Sequence, residues 1–276
     1  MKVRLLTSLG IAVFGIPLLI FSQYIVFPIA VSIVSLIGAF EILRVIGMHK
    51  NFFISIPSYL LSAGLPIGAF FATGDKLMMY INAMAILLFV FLIYLFFLSV
   101  FMHGRIKYSQ VSEVYSSVTY IATSLTAMCI LRYLSGGLWN LILVFIGAWV
   151  CDMSAYIVGS LIGKHKLIPA VSPKKTVEGA VGGILFVILG YLLYGFIISK
   201  ATDFTPNYWV LLVAGIIVPI VSQLGDLIAS LIKREHGVKD YGNILPGHGG
   251  ILDRFDSVIP VSMVLMIICA IFPPFV

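Results

Sequence analysis

The sequence predicts an all-α protein that crosses a membrane about nine times, with a cytoplasmic N-terminus and an external C-terminus. Three observations support this prediction. Hydrophobic residues make up 61% of the 276 residues, and charged residues only 10%. Several apolar runs have roughly twenty residues, enough for a helix to cross about 30 Å of hydrocarbon. Lysine and arginine are concentrated in alternate connections between these runs.

The predicted spans follow the apolar runs in order. They are residues 3–22, 24–43, 52–73, 77–101, 111–134, 137–162, 176–198, 208–232 and 256–274. The first run follows the basic start MKVR, as in a signal peptide, but lacks a small-residue cleavage site, so we expect a retained helix. With the N-terminus inside, fourteen lysines and arginines fall on one side, and Lys76, Arg132 and Lys200 fall on the other. Because basic residues remain in the cytoplasm, this asymmetry predicts an odd number of spans.

Charge and glycine divide the chain into two predicted regions. Residues 1–135 contain about five spans, of which the first four are apolar and almost featureless, and we interpret this region as a scaffold. Residues 136–276 are predicted to be the catalytic region, with cytoplasmic loops at 163–176 and 233–255. Charge beside an apolar span is costly in a bilayer, so it indicates a functional site. The basic residues behind the net charge of +6 lie at the ends of spans, where they determine the orientation of the protein in the membrane. They do not form the solvated basic face expected of a nucleic-acid-binding protein.

The eighth predicted span carries polar residues along one face. At about 100° per residue, they are Ser222, Gln223, Asp226, Ser230 and Lys233. Serine and glutamine are also typical of contacts between membrane helices, which is the alternative for those residues. A carboxylate such as Asp226 instead requires a cation at this depth.

The sixth predicted span has a similar face, formed by Asp152, Tyr156, Gly159 and Gly163. The glycines allow another backbone or a ligand to approach closely. Two partners for Asp152 remain open, a metal ion and a buried lysine.

The segment SPKKTVEG begins at Ser172 and leads into the seventh span. Ser172 is expected to cap a helix whose first turn contains Pro173. Free N–H groups and the helix dipole would then lie beside Lys174 and Lys175, a combination that binds phosphate. The alternative is a basic cluster that only sets topology or touches anionic lipid. The Ser-Pro cap and Glu178, which we expect to be buried, favour the phosphate site.

Residues 237–250, called the glycine-rich loop here, contain five glycines: Gly237, Gly242, Gly247, Gly249 and Gly250. Glycine permits sharp bends that bring backbone N–H groups close to a ligand. The loop does not match GxxxxGK[ST], so a Walker-type ATPase is not indicated. His248 is expected to contact phosphate or to be structural, rather than to act as a general base.

Asp253 and Asp256 stand three residues apart where the last span begins. On one helix they would share a face, and two such carboxylates stay ionised only beside cations. The three cysteines are scattered, so a zinc site is not indicated. With Asp226, the two aspartates form an oxygen-rich set suited to Mg²⁺. Carboxylates, lysines and glycines at a membrane surface indicate phosphoryl or nucleotidyl transfer to a lipid.

The run SLIKREHGVKDYGNILPGHGGILDRFD, from Ser230 to Asp256, resembles the signature of the phosphatidate cytidylyltransferases, or CDP-diacylglycerol synthases. Asp226 within GDL and the SPKKTVEG segment are similar to further elements of that family. The resemblance extends from about Asp152 to Asp256, while the first 130 residues match only in hydrophobicity and number of spans. It implies an integral enzyme of the inner or plasma membrane that condenses CTP with phosphatidic acid at the cytoplasmic face. The products would be CDP-diacylglycerol and pyrophosphate, with Mg²⁺ as cofactor and a homodimer as the expected assembly.

The resemblance assigns roles to the residues identified above. The predicted catalytic residues are Asp226, Lys233, Arg234, Lys239, Asp253 and Asp256, of which Asp226, Asp253 and Asp256 are the predicted metal ligands. The predicted substrate-binding residues are Asp152, Ser172, Lys174, Lys175, Glu178, Ser230, His248, Gly249, Gly250 and Arg254. Asp152 is a further candidate for the metal or its surroundings, and a second metal ion is left open. The lysines and Arg234 are expected to hold the phosphates of CTP, phosphatidate or pyrophosphate.

Two alternatives remain open. A related CTP-dependent lipid enzyme, such as a polyprenol kinase or a CDP-archaeol synthase, would use similar groups. An ion or solute transporter would also place carboxylates and glycine-broken helices in the membrane. Against a transporter, the charges crowd one membrane face and no inverted repeat is visible.

Overall fold

The computed structural model describes residue 13 and residues 15–72, 74–102, 104–244, 247 and 249–276, most of which are helical. Labelled in chain order from Val26, the α-helices are α1 (Val26–Ile46), α2 (Phe52–Phe70), α3 (Lys76–Phe101), α4 (Tyr108–Tyr133), α5 (Gly137–Phe145), α6 (Cys151–Ile162), α7 (Val177–Ala201), α8 (Tyr208–Glu235), α9 (Leu252–Phe255) and α10 (Val258–Ile271). A π-helical turn, Ile146–Val150, joins α5 to α6. Two short strands, β1 (Lys166–Ile168) and β2 (Ser172–Thr176), precede α7.

Within the described part of the chain, seven helices are long and apolar enough to cross a membrane. They are α1, α2, α3, α4, the continuous stretch Gly137–Ile162, α7 and α8. Helix α10 is also apolar but has only 14 residues. The prediction of a helical membrane protein is confirmed. The first predicted span, residues 3–22, lies largely outside the described residues, and the count of nine spans and the orientation of the termini stay predictions.

The chain forms two compact units. The first unit comprises Met1–Ile130 and Val238–Asp253, and the second comprises Leu131–Gly237 and Arg254–Val276. From Val238 onward, the glycine-rich loop therefore belongs to the same unit as α1, α2 and α3.

In the first unit, α1 packs on α2, and α2 packs on α3. Helix α1 ends at Gly47, whose φ of 82° lets its N–H group bond back to the carbonyls of Arg44 and Leu43. Along Lys76–Phe101, the buried residues are Phe91, Leu95 and Leu98. The rest of α3 exposes apolar side chains, as expected of a helix that faces lipid.

In the second unit, α6 packs on α7, α7 on α8, and α8 on α10. The π-helical turn before α6 lies against α7. The Tyr191 hydroxyl of α7 also donates to the carbonyl of Leu143, near the end of α5, at 2.8 Å. A methyl group at Gly147 would lie 2.5 Å from that hydroxyl. Glycine is therefore required for α7 to approach the turn that precedes Asp152.

The segment before α7 differs from the sequence prediction. The helix does not begin at Ser172, because residues Ser172–Thr176 form strand β2, which pairs antiparallel with β1. Thr176 is the cap instead, and its side chain accepts a hydrogen bond from the Gly179 N–H at 3.2 Å. The predicted Ser172 cap was wrong, because the backbone of Ser172–Thr176 pairs with β1 in the hairpin and the helix begins only at Val177.

Candidate active site

Three aspartates of the second unit lie close together. Asp152 is in the first turn of α6, Asp226 is in α8, and Asp256 is in the turn before α10. Ser257 links two of them, because its hydroxyl donates to Asp152 Oδ2 at 3.0 Å and its backbone N–H donates to Asp256 Oδ1 at 2.8 Å. The carboxylates of Asp226 and Asp152 both repel that of Asp256. The three negative charges therefore occupy one small region.

Gly225 explains how α8 comes so close to the turn that holds Asp256. A Cβ atom at Gly225 would lie 2.5 Å from the Asp256 carbonyl oxygen and 2.5 Å from Cγ of Pro260. Any side chain at this position would push the two segments apart. The dipeptide Gly225-Asp226 thus combines close backbone approach with a carboxylate.

Lys175 supplies a positive charge to this acidic region. Its Nζ atom lies 2.6 Å from Asp226 Oδ2 and donates to the carbonyl of Gln223 at 3.3 Å. The two side chains of the ion pair retain 23% and 30% of their exposure, so the pair is open to solvent on one side. Lys175 therefore forms an ion pair with Asp226, whereas Asp152 accepts a hydrogen bond from the Ser257 hydroxyl.

A cavity of about 340 Å³ opens beside this ion pair. Predicted site residues that line it are Asp152, Ser172, Lys174, Lys175 and Asp226. Tyr156 and Gly159 also line it, as the helical spacing from Asp152 predicts. The volume falls within the usual range for small-molecule sites. Acidic groups from α6 and α8 therefore meet basic groups from β2 in one concave space.

Gln223 also lines the cavity, but its amide contacts a neighbouring helix. The Nε2 atom donates to the carbonyl of Ala180 in α7 at 3.2 Å. This contact supports the alternative interpretation of Gln223, in which it joins two membrane helices.

The surroundings of Asp256 disfavour the negative charge of its own carboxylate. Burial, followed by the neighbouring carboxylates of Asp226 and Asp152, raises the pKa of Asp256 to about 7. Lys233, in the last turn of α8, acts in the opposite direction. An added cation would hold all three carboxylates in their ionised form.

The donor set of this region fits Mg²⁺ in chemical terms. Asp152, Asp226 and Asp256 offer carboxylate oxygens, the atoms that Mg²⁺ prefers, and Lys175 neutralises only part of their charge. Among the residues that the structure describes, no three His, Cys, Asp or Glu side chains form a ready-made metal cage. Such a site is compatible with Mg²⁺, which keeps water molecules and takes phosphate oxygens of a substrate as ligands.

Asp253 has a different environment, within the first unit. Its Oδ2 atom accepts hydrogen bonds from the backbone N–H groups of Tyr241 at 2.8 Å and Gly250 at 2.9 Å. Helix α9 ends at Phe255, and Asp256 follows in a turn, so the single helical face expected for Asp253 and Asp256 does not form. The backbone N–H groups of the loop orient the Asp253 carboxylate instead.

The same loop is attached to helix α1 through residues that the sequence reasoning did not identify. Glu41, which is fully buried, accepts from the N–H groups of Ile251 at 3.0 Å and Leu252 at 2.9 Å. The guanidinium of Arg44 donates to the carbonyl of Tyr241 at 2.6 Å. A lone carboxylate inside an apolar span was the available signal, because such groups are costly in a membrane. Its partners lie more than two hundred residues away and have no local signature.

The remaining predicted residues occupy several positions. Glu178 accepts from the backbone N–H of His165 at 3.2 Å and lies 2.6 Å from its Nδ1, so it is half-buried at the base of the hairpin rather than enclosed. Gly249 has a φ of 85°, which favours glycine. The other positions are Arg234 at the end of α8, Ser230 half-buried within α8, and Lys239 and Arg254 exposed. His248 lies outside the described residues.

The fold and the cavity thus define a helical membrane protein with a site that combines carboxylates and lysines. The sequence model described as the cytidylyltransferase family matches residues 2–272, so the chain belongs to that family. This match includes the first 130 residues, where the resemblance had extended only to hydrophobicity and number of spans.

Curated relatives are more specific. The phosphatidate cytidylyltransferase of Staphylococcus aureus strain COL is 35% identical over 273 residues, covering 97% of this chain and 99% of the relative. The phosphatidate cytidylyltransferase of Staphylococcus epidermidis strain RP62A is 36% identical over 270 residues, with the same coverage. That of Staphylococcus saprophyticus is 36% identical over 276 residues, again with 97% and 99% coverage. The predicted family resemblance is confirmed.

Proposed function

We propose that this protein is a nucleotidyltransferase of phospholipid biosynthesis that condenses CTP with phosphatidic acid to form CDP-diacylglycerol and pyrophosphate. The observation that carries the proposal is the similarity to phosphatidate cytidylyltransferases along 97% of the chain. The cavity of the second unit supports it, because acidic and basic side chains meet there next to membrane-spanning helices.

The chemistry makes few demands on an enzyme base. The phosphate of phosphatidic acid already carries an anionic oxygen, which attacks the α-phosphorus of CTP in line. A new bond forms between that oxygen and the α-phosphorus, and the bond to the β-phosphate oxygen breaks, so that pyrophosphate leaves. No proton has to be removed from the attacking group, so no general base such as His248 is required.

The main obstacle is the repulsion between two polyanions. Lys174 and Lys175 line the cavity and would bind phosphate oxygens of CTP or of the departing pyrophosphate. Lys175 is held by Asp226 at 2.6 Å, which orients its ammonium group before a substrate enters. Lys233 lies near Asp256 and would serve the other phosphate group. The phosphate-binding roles of Arg234 and Lys239 stay predictions.

Asp226 and Asp256, with Asp152 beside them, would hold the Mg²⁺ ion that the resemblance implies. When bound, the ion would neutralise charge that develops on the phosphates in the transition state. The Ser257 hydroxyl orients Asp152, and Lys175 orients Asp226, so these carboxylates are positioned by the protein itself. A metal-binding role of Asp253 and a second metal ion stay predictions.

We extend the proposal to the cytoplasmic face of the membrane, where CTP is available. The support is the unequal distribution of basic residues, fourteen on one side and three on the other. The acyl chains of phosphatidic acid would remain in the lipid while its head group enters the cavity. The homodimer implied by the resemblance stays a prediction that mass measurement of the purified protein would test.

The function is tested with purified protein in detergent, phosphatidic acid, Mg²⁺ and CTP labelled at the α-phosphate. We expect label in the lipid fraction only when both substrates and Mg²⁺ are present. If α-label enters an archaeal lipid, or label from γ-labelled CTP enters a polyprenol, while phosphatidic acid stays unlabelled, a related lipid enzyme is indicated. Solute flux in proteoliposomes without CTP, and no lipid product, would contradict the proposal.

A further inference from the structure

Helix α1 contains two charged residues, Glu41 and Arg44, whose hydrogen-bond partners are backbone groups of residues 241–252, far along the chain. Glu41 lies within a span of high hydropathy, Val26–Ile46, and none of its surface is exposed. Arg44 follows three residues later, so the two side chains emerge from neighbouring positions on the helix. A buried carboxylate in such a helix is destabilising unless hydrogen bonds and charges compensate it.

The compensation comes from the two residues that directly follow the glycine-rich loop. Each carboxylate oxygen of Glu41 accepts from a different N–H group, Oε1 from Ile251 and Oε2 from Leu252. Arg44 fixes the other end of the segment through the carbonyl of Tyr241, which is 2% exposed. The attachments to α1 at Tyr241 and at Ile251 therefore flank four of the five glycines of the loop.

Two glycines of the loop fit the carboxylate of Glu41. A Cβ atom at Gly242 or at Gly250 would overlap Glu41 Oε1. The Asp253 carboxylate joins the N–H groups of Tyr241 and Gly250, so the two acidic side chains bind adjacent parts of one backbone. This arrangement explains why these loop positions carry no side chain.

We propose that Glu41 is a positioning residue for the reaction, because its carboxylate fixes the backbone at Ile251 and Leu252 and thereby orients Asp253, the next residue. This inference rests on the proposed function. Glutamine cannot replace Glu41, since its amide offers one acceptor oxygen and its NH₂ group would face an N–H donor. Aspartate keeps both acceptors but withdraws them by one carbon–carbon bond, about 1.5 Å.

The first test compares Glu41→Gln with wild type. Since a misplacement of about 1 Å costs roughly 100-fold in rate, we expect kcat to fall about 100-fold and the KM of CTP or phosphatidic acid to rise about tenfold. Hydrogen exchange at the amides of Ile251 and Leu252 should become faster while the helices stay protected. Ser35→Ala is the matched control, a fully buried position in α1 whose hydroxyl lacks a hydrogen-bond partner among the described residues, and it should leave all three readouts unchanged.

A second test separates positioning from folding. Gly250→Ala should impair activity because its methyl group overlaps Glu41, and Glu41→Asp should impair it because the acceptors are too distant. The double variant, Glu41→Asp with Gly250→Ala, should be at least about tenfold more active than Gly250→Ala alone, because the shorter aspartate side chain makes room for the methyl group. This rescue also decides the matter if Glu41→Gln fails to fold.

Several outcomes would overturn the inference. They are unchanged kinetics in Glu41→Gln, a lower folded fraction with both KM values unchanged, and no rescue in the double variant. If the wild-type protein forms no CDP-diacylglycerol, the proposed function fails. The exchange at Ile251 and Leu252 would still report whether Glu41 holds the loop.

Discussion

At the scale of single residues, the ion pair between Asp226 and Lys175 contributes one negative and one positive charge to the lining of the cavity. Asn at position 226 keeps the volume but removes the negative charge that the proposed Mg²⁺ requires. We expect Asp226→Asn to lower kcat on the order of 100-fold, as for loss of an electrostatic group that acts in the transition state. The free energy of unfolding should change by less than about 1 kcal/mol, because the pair is partly exposed.

Asp203→Asn is the matched control for that experiment, because Asp203 is exposed and lies in the connection between α7 and α8. It should retain wild-type kcat in the lipid-labelling assay. Full Mg²⁺-dependent activity in Asp226→Asn would exclude the metal-binding role of this residue.

Lys175 is predicted to act on phosphate rather than on stability. Lys175→Ala should raise the KM of CTP about tenfold, since one ammonium–phosphate contact is lost and charged hydrogen bonds contribute about 1.5–3 kcal/mol. Lys200→Ala removes the same charge from the far end of α7 and should leave the KM unchanged. An equal effect of the two substitutions would show that overall charge, and not the cavity, controls binding.

At the scale of elements, the approach of α8 to the turn at Asp256 depends on Gly225. Gly225→Ala places a methyl group 2.5 Å from the Asp256 carbonyl oxygen, and overpacking of this kind costs about 1–3 kcal/mol of unfolding free energy. We expect a lower thermal unfolding midpoint and reduced activity, because the carboxylates of Asp226 and Asp256 move apart.

Gly64→Ala is the comparison substitution, since Gly64 is also inside a helix but a Cβ atom there would have no described residue outside its own helical turns within 4 Å. It should leave the midpoint unchanged or raise it slightly. If Gly225→Ala behaved in the same way, close approach would not explain the glycine.

For the whole molecule, the unequal distribution of basic residues predicts the orientation in the membrane. Lys166→Cys in β1 should react with a membrane-impermeant maleimide only after cells are permeabilised. Asp203→Cys, in the next connection along the chain, should react in intact cells. The native cysteines, Cys129, Cys151 and Cys269, are buried, so the background should be low. The reverse labelling pattern would contradict the proposed cytoplasmic site.

The long helices were predictable because hydropathy is a local property of the sequence. Periodicity also placed Asp152 and Tyr156 on one face, and both line the cavity. The hairpin before α7 was not predictable, since its strands have three and five residues and no alternating apolar pattern. The partnership of Glu41 with Ile251 and Leu252 was hidden for another reason, because only the tertiary fold brings these residues together.

The most direct test of the central claim follows the two ends of CTP in parallel reactions. With phosphatidic acid and Mg²⁺, α-labelled CTP should give labelled lipid, and γ-labelled CTP should give labelled pyrophosphate in equal amount. Asp226→Asn should lower both signals together, on the order of 100-fold. Transfer of the γ-label into lipid, or release of pyrophosphate without a labelled lipid, would contradict cytidylyl transfer to phosphatidic acid.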